Sequence, residues 1–163
     1  FEYREEKKHG HQNDFLMVGS MGCASSFGAE IALQKPNKKV FIFDGDGAVI
    51  MSMGTLSTIG TYSPTNLIHI IFDNGTYGST GGQPTTSATT NFEMVAKGNG
   101  YVHSKIVETK LELEYNLKKM IPLKGPQMLI IKVNNNSRKD LGRPTTTPIE
   151  NKTALMNYLS KEI

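Results

Sequence analysis

The chain of 163 residues has a single cysteine, Cys23, so no internal disulfide framework holds it together, and such usage points to a reducing compartment. No apolar run approaches the ~18 residues needed to span a bilayer. The polar opening FEYREEKKHGHQND is not a signal peptide, and the expected location is the cytoplasm. Charge of one sign is not in excess either. The formal net charge is +3, and the pairs Lys7-Lys8, Lys38-Lys39 and Lys118-Lys119 read as solvated faces. Neither nucleic acid nor membrane is an expected partner. The chain also lacks a GxGxxG turn, a GxxxxGK[ST] loop, Cys/His metal spacing, a nucleophile elbow and any internal repeat. What remains is ordinary for one globular domain, 37% hydrophobic and 20% charged, over residues 1–163.

Within that frame the apolar pattern alternates between two types. Short β-rich runs fall at residues 15–18, 40–43, 67–72, 101–107 and 127–133. Several are nearly continuous, which suits strands buried on both faces of a parallel sheet. Helical patterns fall between them at 24–34, 49–61, 92–98 and 111–121, the last with Leu113, Leu117, Met120 and Ile121 on one face. Thr109 with Glu112 forms a capping-box pattern, and Thr147-Pro148-Ile149 opens a terminal helix carrying Leu155 and Leu159 on one side. Strand–helix alternation of this kind implies a doubly wound, mostly parallel α/β sheet with helices on both faces. Two segments break the rhythm. Residues 74–90, NGTYGSTGGQPTTSATT, form a long loop rich in glycine and hydroxyls, a functional or disordered element by its length; residues 134–148 resemble a linker.

The chemistry gathers where strands should end. VFIFDGDGAVIMSMGTL places Asp44-Gly45-Asp46-Gly47 after one strand, and Asp73-Asn74-Gly75-Thr76-Tyr77-Gly78 follows the next. In an open α/β sheet, ligands sit in the crevice beyond the carboxyl ends of the strands. If the two strands pair directly, Asp46 and Asn74 point at a common spot. One carboxylate, one amide oxygen and nearby carbonyls make a hard-oxygen half-shell suited to magnesium. Gly45 and Gly47 let the backbone approach phosphates, and Gly47-Ala48 opens a helix whose free N–H groups attract anions. Read alone, GDG is equally a tight turn with an aspartate N-cap. The second turn at workable spacing favours a metal–diphosphate clamp. A third turn, Val18-Gly19-Ser20-Met21-Gly22-Cys23, should reach the same crevice, with Met21 between two glycines where a core role is less natural.

These residues carry a resemblance. GDG, a helix, a strand and the Asn-Gly-Thr-Tyr-Gly turn are similar to the magnesium–diphosphate motif of thiamine diphosphate enzymes, as is the GSMG turn upstream. HQNDFLMVGSMGCASS, FDGDGAVIMSMGTLSTIG, DNGTYGSTGGQPTT and LGRPTTTPIENK look like the C-terminal half of the phosphonopyruvate decarboxylases, with the sulfopyruvate decarboxylases, often split into two subunits, as close relatives. The resemblance implies that Asp46 and the Asn74 side chain ligate Mg2+ with the Thr76 carbonyl. It implies further that Gly47 and Ala48 N–H groups hold the diphosphate and that Tyr77 and Gly78 shape its pocket. Gly19 and Ser20 lie on the cofactor-binding turn, with the Gly19 carbonyl accepting from the cofactor's 4′-amino group. Met21 would support the bent cofactor.

The same resemblance implies decarboxylation of a small 2-oxo acid, phosphonopyruvate first, as in phosphonate biosynthesis. The activating glutamate belongs to a pyrimidine-binding domain that this chain lacks, so no catalytic residue is assigned here. The expectation is a fragment or one subunit of a split enzyme, inactive alone, that needs a pyrimidine-binding domain or subunit and works as a homo-oligomer. A non-catalytic nucleotide- or phosphate-binding module is the alternative class. Cys23 stands where relatives commonly carry histidine and is expected as a small buried thiol. His69 and His103 read as sheet histidines, His9 and His11 as part of a polar terminus, and Glu5-Glu6 as a solvated helix face. Gln83-Pro84 either faces substrate or orders its loop.

Overall fold

A computed structural model describes residues 8, 10–136, 139–140 and 144–161. They fall into two units, one formed by residues up to 19 and from 136 onward, the other by Ser20–Asn135.

The larger unit is built on four parallel strands: β1 (Val40–Gly45), β2 (Leu67–Asp73), β5 (His103–Val107) and β6 (Gln127–Lys132), in the order β1-β2-β6-β5. The two central strands, β2 and β6, are buried on both faces, which explains why their sequences are nearly unbroken apolar runs. On one face, Leu67, Ile71, Met128 and Ile130 pack with residues from four helices: α1 (Ala24–Gln34), α2 (Asp46–Met51), α3 (Gly54–Tyr62) and α4 (Phe92–Gly98). On the other, Ile68, Ile70 and Leu129 pack with Met120, Leu113 and Leu117 of α5 (Lys110–Met120). The sheet is therefore doubly wound, as expected. At the edge, β1 buries only one face: Ile42 points into the core while Phe41 and Phe43 stay exposed, and the Phe43 ring stacks on Phe72 at 6.0 Å.

Several elements differ from the sequence reading beyond a residue or two at their ends. The helix expected at 49–61 is two helices, because Ser52 leaves helical geometry (φ −127°, ψ 35°) and Ser and Gly are weak helix formers. The strand expected from 101 starts at His103, because the Tyr101 N–H is taken by Ala96 O at the end of α4. The loop at 74–90 is ordered rather than featureless. It holds a short antiparallel hairpin, β3 (Thr76–Tyr77) with β4 (Gln83–Pro84), and a 3-10 turn at Ser87–Thr89. Gln83 and Pro84 are exposed and pair with Tyr77 and Thr76, so they order the loop.

In the smaller unit, residues 15–18 do not form the expected strand. The Leu16 backbone is satisfied instead by one amide side chain: Asn151 Nδ2 donates to Leu16 O at 3.0 Å, and Leu16 N–H donates to Asn151 Oδ1 at 3.4 Å. Asn151 sits on α6 (Pro148–Ser160), which begins with a capping box between Thr147 and Glu150 and buries Leu155. His11 bonds Asp14 at 3.0 Å. The expected linker at 134–148 lies partly outside the described residues, and Glu5-Glu6 and His9 lie wholly outside them. No helix among the described residues is long and apolar enough to cross a membrane.

Candidate functional site

Parallel pairing sets Gly45 opposite Phe72, so β1 and β2 end side by side. From there the chain turns directly into α2, with Gly45 extended at the N-cap (φ −83°, ψ 157°) and Asp46 as the first helical residue. Asp46 is almost wholly buried, at 1% exposure. Across the gap, Asn74 N–H donates to Asp46 Oδ1 at 3.4 Å, and Thr76 N–H donates to Asn74 Oδ1 at 2.9 Å. That second bond is an Asx turn, which folds the Asn74 amide back over its own loop. Gly75 takes φ +70°, a conformation glycine adopts without strain.

A cleft of about 330 Å³ opens at these strand ends. Its lining includes Met21, Gly45, Asp46, Gly47, Ala48, Asn74, Thr76, Tyr77 and Gly78, nine residues singled out from sequence. Phe72 and Ser79 complete it. Close approach explains Gly47: a Cβ there would lie 2.4 Å from the Tyr77 ring. The Met21 turn is held by Cys23 N–H to Ser20 O at 3.1 Å, and Gly22 admits α2, since a Cβ on it would meet Ser52 Oγ at 2.6 Å. Ser20 does not line the cleft, and Gly19 belongs to the other unit, with φ +75°. Cys23 is exposed, contrary to expectation. It precedes α1, whose inward face is formed by Ser25, Gly28, Ala29 and Ala32, so its thiol has no core to enter.

Three buried acids stand at the strand ends, and their partners differ. Asp44 accepts from the His69 ring, Nε2 to Oδ2 at 3.0 Å, and His69 Nδ1 lies 3.4 Å from the Tyr101 hydroxyl. Burial first, and the Asp44 charge second, push the Tyr101 phenol above its usual pKa, so it stays a donor to that ring. Asp73 is paired with the Lys132 ammonium, and its Oδ1 accepts from Gly75 N–H at 3.3 Å. Among the described residues, Asp46 accepts only from the Asn74 N–H and the Thr85 hydroxyl, whose Oγ1 is 2.5 Å from Asp46 Oδ2. Among the described residues no lysine, arginine or histidine forms an ion pair with Asp46. Sequence reading missed Thr85; its one signal was the hydroxyl run after Gln83-Pro84. It assigned His69 correctly as a satisfied sheet histidine.

The doubly wound fold with a cleft beyond its strand ends defines a ligand-binding α/β domain. Residues 2–132 match the thiamine pyrophosphate enzyme family, C-terminal TPP binding domain, and the chain belongs to that family. Its relatives narrow the class. The chain is 38% identical over 136 residues to phosphonopyruvate decarboxylase of Streptomyces viridochromogenes (83% of this chain, 34% of the relative). It is 43% identical over 122 residues to sulfopyruvate decarboxylase subunit beta of Methanocaldococcus jannaschii (74% and 64%). With the same subunit of Methanococcus maripaludis it shares 36% over 155 residues (95% and 82%). The chain thus spans about a third of the length of the phosphonopyruvate decarboxylase it matches. A thiamine diphosphate-dependent 4-hydroxybenzoylformate decarboxylase from Rhodococcus jostii has the same fold, with a TM-score of 0.62 at 20% identity over 72% of this chain and 24% of that one.

Proposed function

We propose that this chain supplies the diphosphate-binding half of a magnesium- and thiamine diphosphate-dependent decarboxylase acting on phosphonopyruvate. One observation carries the reading: of three buried acids at the strand ends, Asp46 alone has no basic partner among the described residues, and it faces Asn74. Burying an acid without a counter-charge is costly. A bound cation beside Asp46 removes that cost.

The donor set fits magnesium. Asp46 offers a carboxylate oxygen, Asn74 Oδ1 keeps a second lone pair beyond the one Thr76 N–H uses, and the Thr76 carbonyl is a third hard oxygen. Such a set leaves positions for phosphate oxygens and water. The N–H groups of Gly47 and Ala48, in the first turn of α2, have no partner within the helix and would take the diphosphate. The Tyr77 ring packs over Gly47 and, with Gly78, bounds the diphosphate side of the cleft. Met21 lines the same cleft, where its thioether would support a bent cofactor. When bound, thiamine diphosphate supplies the electron sink for loss of carbon dioxide from a 2-oxo acid. The chain's own part is to bind it, orient it and shield it from water.

On this reading the chain needs a pyrimidine-binding domain or subunit, works in an oligomer with cofactor sites shared between chains, and acts in the cytoplasm. A sulfopyruvate substrate is the second reading, favoured by the match to 82% of the Methanococcus maripaludis beta subunit. The test is carbon dioxide release by the enzyme with its pyrimidine-binding half present, comparing phosphonopyruvate, sulfopyruvate and pyruvate. Preference for phosphonopyruvate is the expected result. Preference for sulfopyruvate would move the substrate and keep the mechanism. Release from none of the three with cofactor bound would overturn the reading.

A further inference from the structure

The hydroxyl on Asp46 belongs to Thr85, which also holds the opposite half of the cleft. Its Oγ1 donates to Asp46 Oδ2 at 2.5 Å and accepts from the Ser87 N–H at 3.3 Å. Because Ser87 approaches with a hydrogen, the Thr85 hydroxyl must direct its own hydrogen at Asp46. The Thr85 N–H donates to Gly75 O at 2.9 Å, one residue after Asn74. Its methyl lies 3.2 Å from the position a Cβ on Gly47 would take. One threonine therefore touches the carboxylate, the first turn of α2 and the Asn74 loop.

We propose that Thr85 is a positioning residue that sets the metal preference of this site. The inference rests on the magnesium–diphosphate reading above. With Oδ2 held by a hydroxyl, Asp46 presents the metal with one oxygen, Oδ1, on the side where Asn74 lies. Single-oxygen ligation in a fixed direction suits magnesium, which demands near-octahedral geometry at about 2.1 Å. Calcium accepts carboxylates through both oxygens, at about 2.3–2.6 Å and in flexible arrangements. Freeing Oδ2 removes the restriction that favours the smaller ion. The loop bond from Thr85 N–H is a backbone bond, so it survives any side-chain change and separates the two roles.

The test uses the enzyme complete with its pyrimidine-binding half. Thiamine diphosphate is held fixed while magnesium or calcium is titrated, and cofactor binding is followed by calorimetry. Thr85→Val keeps the shape and removes the hydroxyl; Thr85→Ser keeps the hydroxyl; Thr85→Ala repeats the deletion should the valine variant not fold. The expected result is an apparent magnesium affinity about 10- to 100-fold weaker in the valine variant, the range seen when a partner of a metal ligand is removed. Calcium should weaken less, so the magnesium-to-calcium ratio falls, and the serine variant should restore it. Magnesium affinity and ratio both at the wild-type level in Thr85→Val would overturn the proposal and leave the functional reading intact. Equal weakening of both ions, with a lowered metal-free melting temperature, would also overturn it, since that is what a purely structural threonine gives. Cofactor binding by the wild type that needs no divalent ion would instead sink the functional reading itself.

Discussion

The His69 ring lies against the Asp44 carboxyl, Nε2 to Oδ2 at 3.0 Å, inside the sheet and two residues before the buried Asp46. Asp44 and His69 face the same side on adjacent parallel strands, offset by two residues in register, since Asp44 pairs with Ile71. The contact ties the end of β1 to β2 just where the chain turns into the cleft. Removing one partner of a buried hydrogen bond leaves the other unsatisfied, at a cost of about 1–3 kcal/mol. His69→Leu should therefore lower the melting temperature by that equivalent. A stability equal to wild type would show that water or another donor takes the place of the ring.

Of the described glycines in the larger unit, Gly60 leaves the least room for a Cβ. A Cβ on it would sit 1.4 Å from Asn99 O, so the chain after α4 must move to admit one. Gly60→Ala should cost about 3 kcal/mol or more, by overpacking. Gly98, also helical, has open space around it, and Gly98→Ala should stabilise by about 0.5–1 kcal/mol. Thermal unfolding of the two variants side by side separates packing from backbone entropy.

Met21 is 38% exposed and lines the cleft, which is not how a core methionine sits. Met21→Ala in the complete enzyme should lower kcat about 10- to 100-fold, the scale of a misplaced reacting group. Cofactor affinity should change by far less. Steady-state kinetics with a cofactor titration reads both, and an unchanged kcat would make Met21 a filler.

His103, on edge strand β5, has its pKa held below the ordinary 6.5, first by burial and then by the Lys119 charge, with Lys97 and Lys105 adding and Glu93 opposing. A folded pKa below the unfolded one means the unfolded chain takes up its proton first as the pH drops. Stability is then fully present above pH 6.5 and is lost as the pH falls through the lowered folded value. His103→Gln should flatten that part of the decline in melting temperature on going from neutral to mildly acidic pH. An identical slope in both proteins would remove His103 as its source.

The parts that were legible in sequence are those fixed by local chemistry. Apolar runs gave β2 and β6, because burial on both faces leaves no alternation to confuse. The Thr109–Glu112 capping box gave the start of α5. That Asp46 and Asn74 lie beside each other was readable because parallel neighbours of similar length end together. What was missed depends on contacts far apart in sequence. Thr85 reaches Asp46 across 39 residues, and Asn151 takes over the Leu16 backbone across 135. Nothing local to residues 15–18 says that a side-chain amide, rather than a strand, will satisfy them. The exposed Cys23 was misread for a similar reason: its burial depends on which face α1 presents to Ile42, beside which Gly28 packs.

The most direct test of the acidic turn as a metal–diphosphate clamp is a calorimetric titration of thiamine diphosphate into the complete enzyme, with magnesium and with chelator. Wild type, Asp46→Ala and Asn74→Ala are compared. The expected result is magnesium-dependent binding in the wild type that is abolished in both variants, each still folded by its melting curve. Binding of wild-type strength in both variants would contradict the clamp.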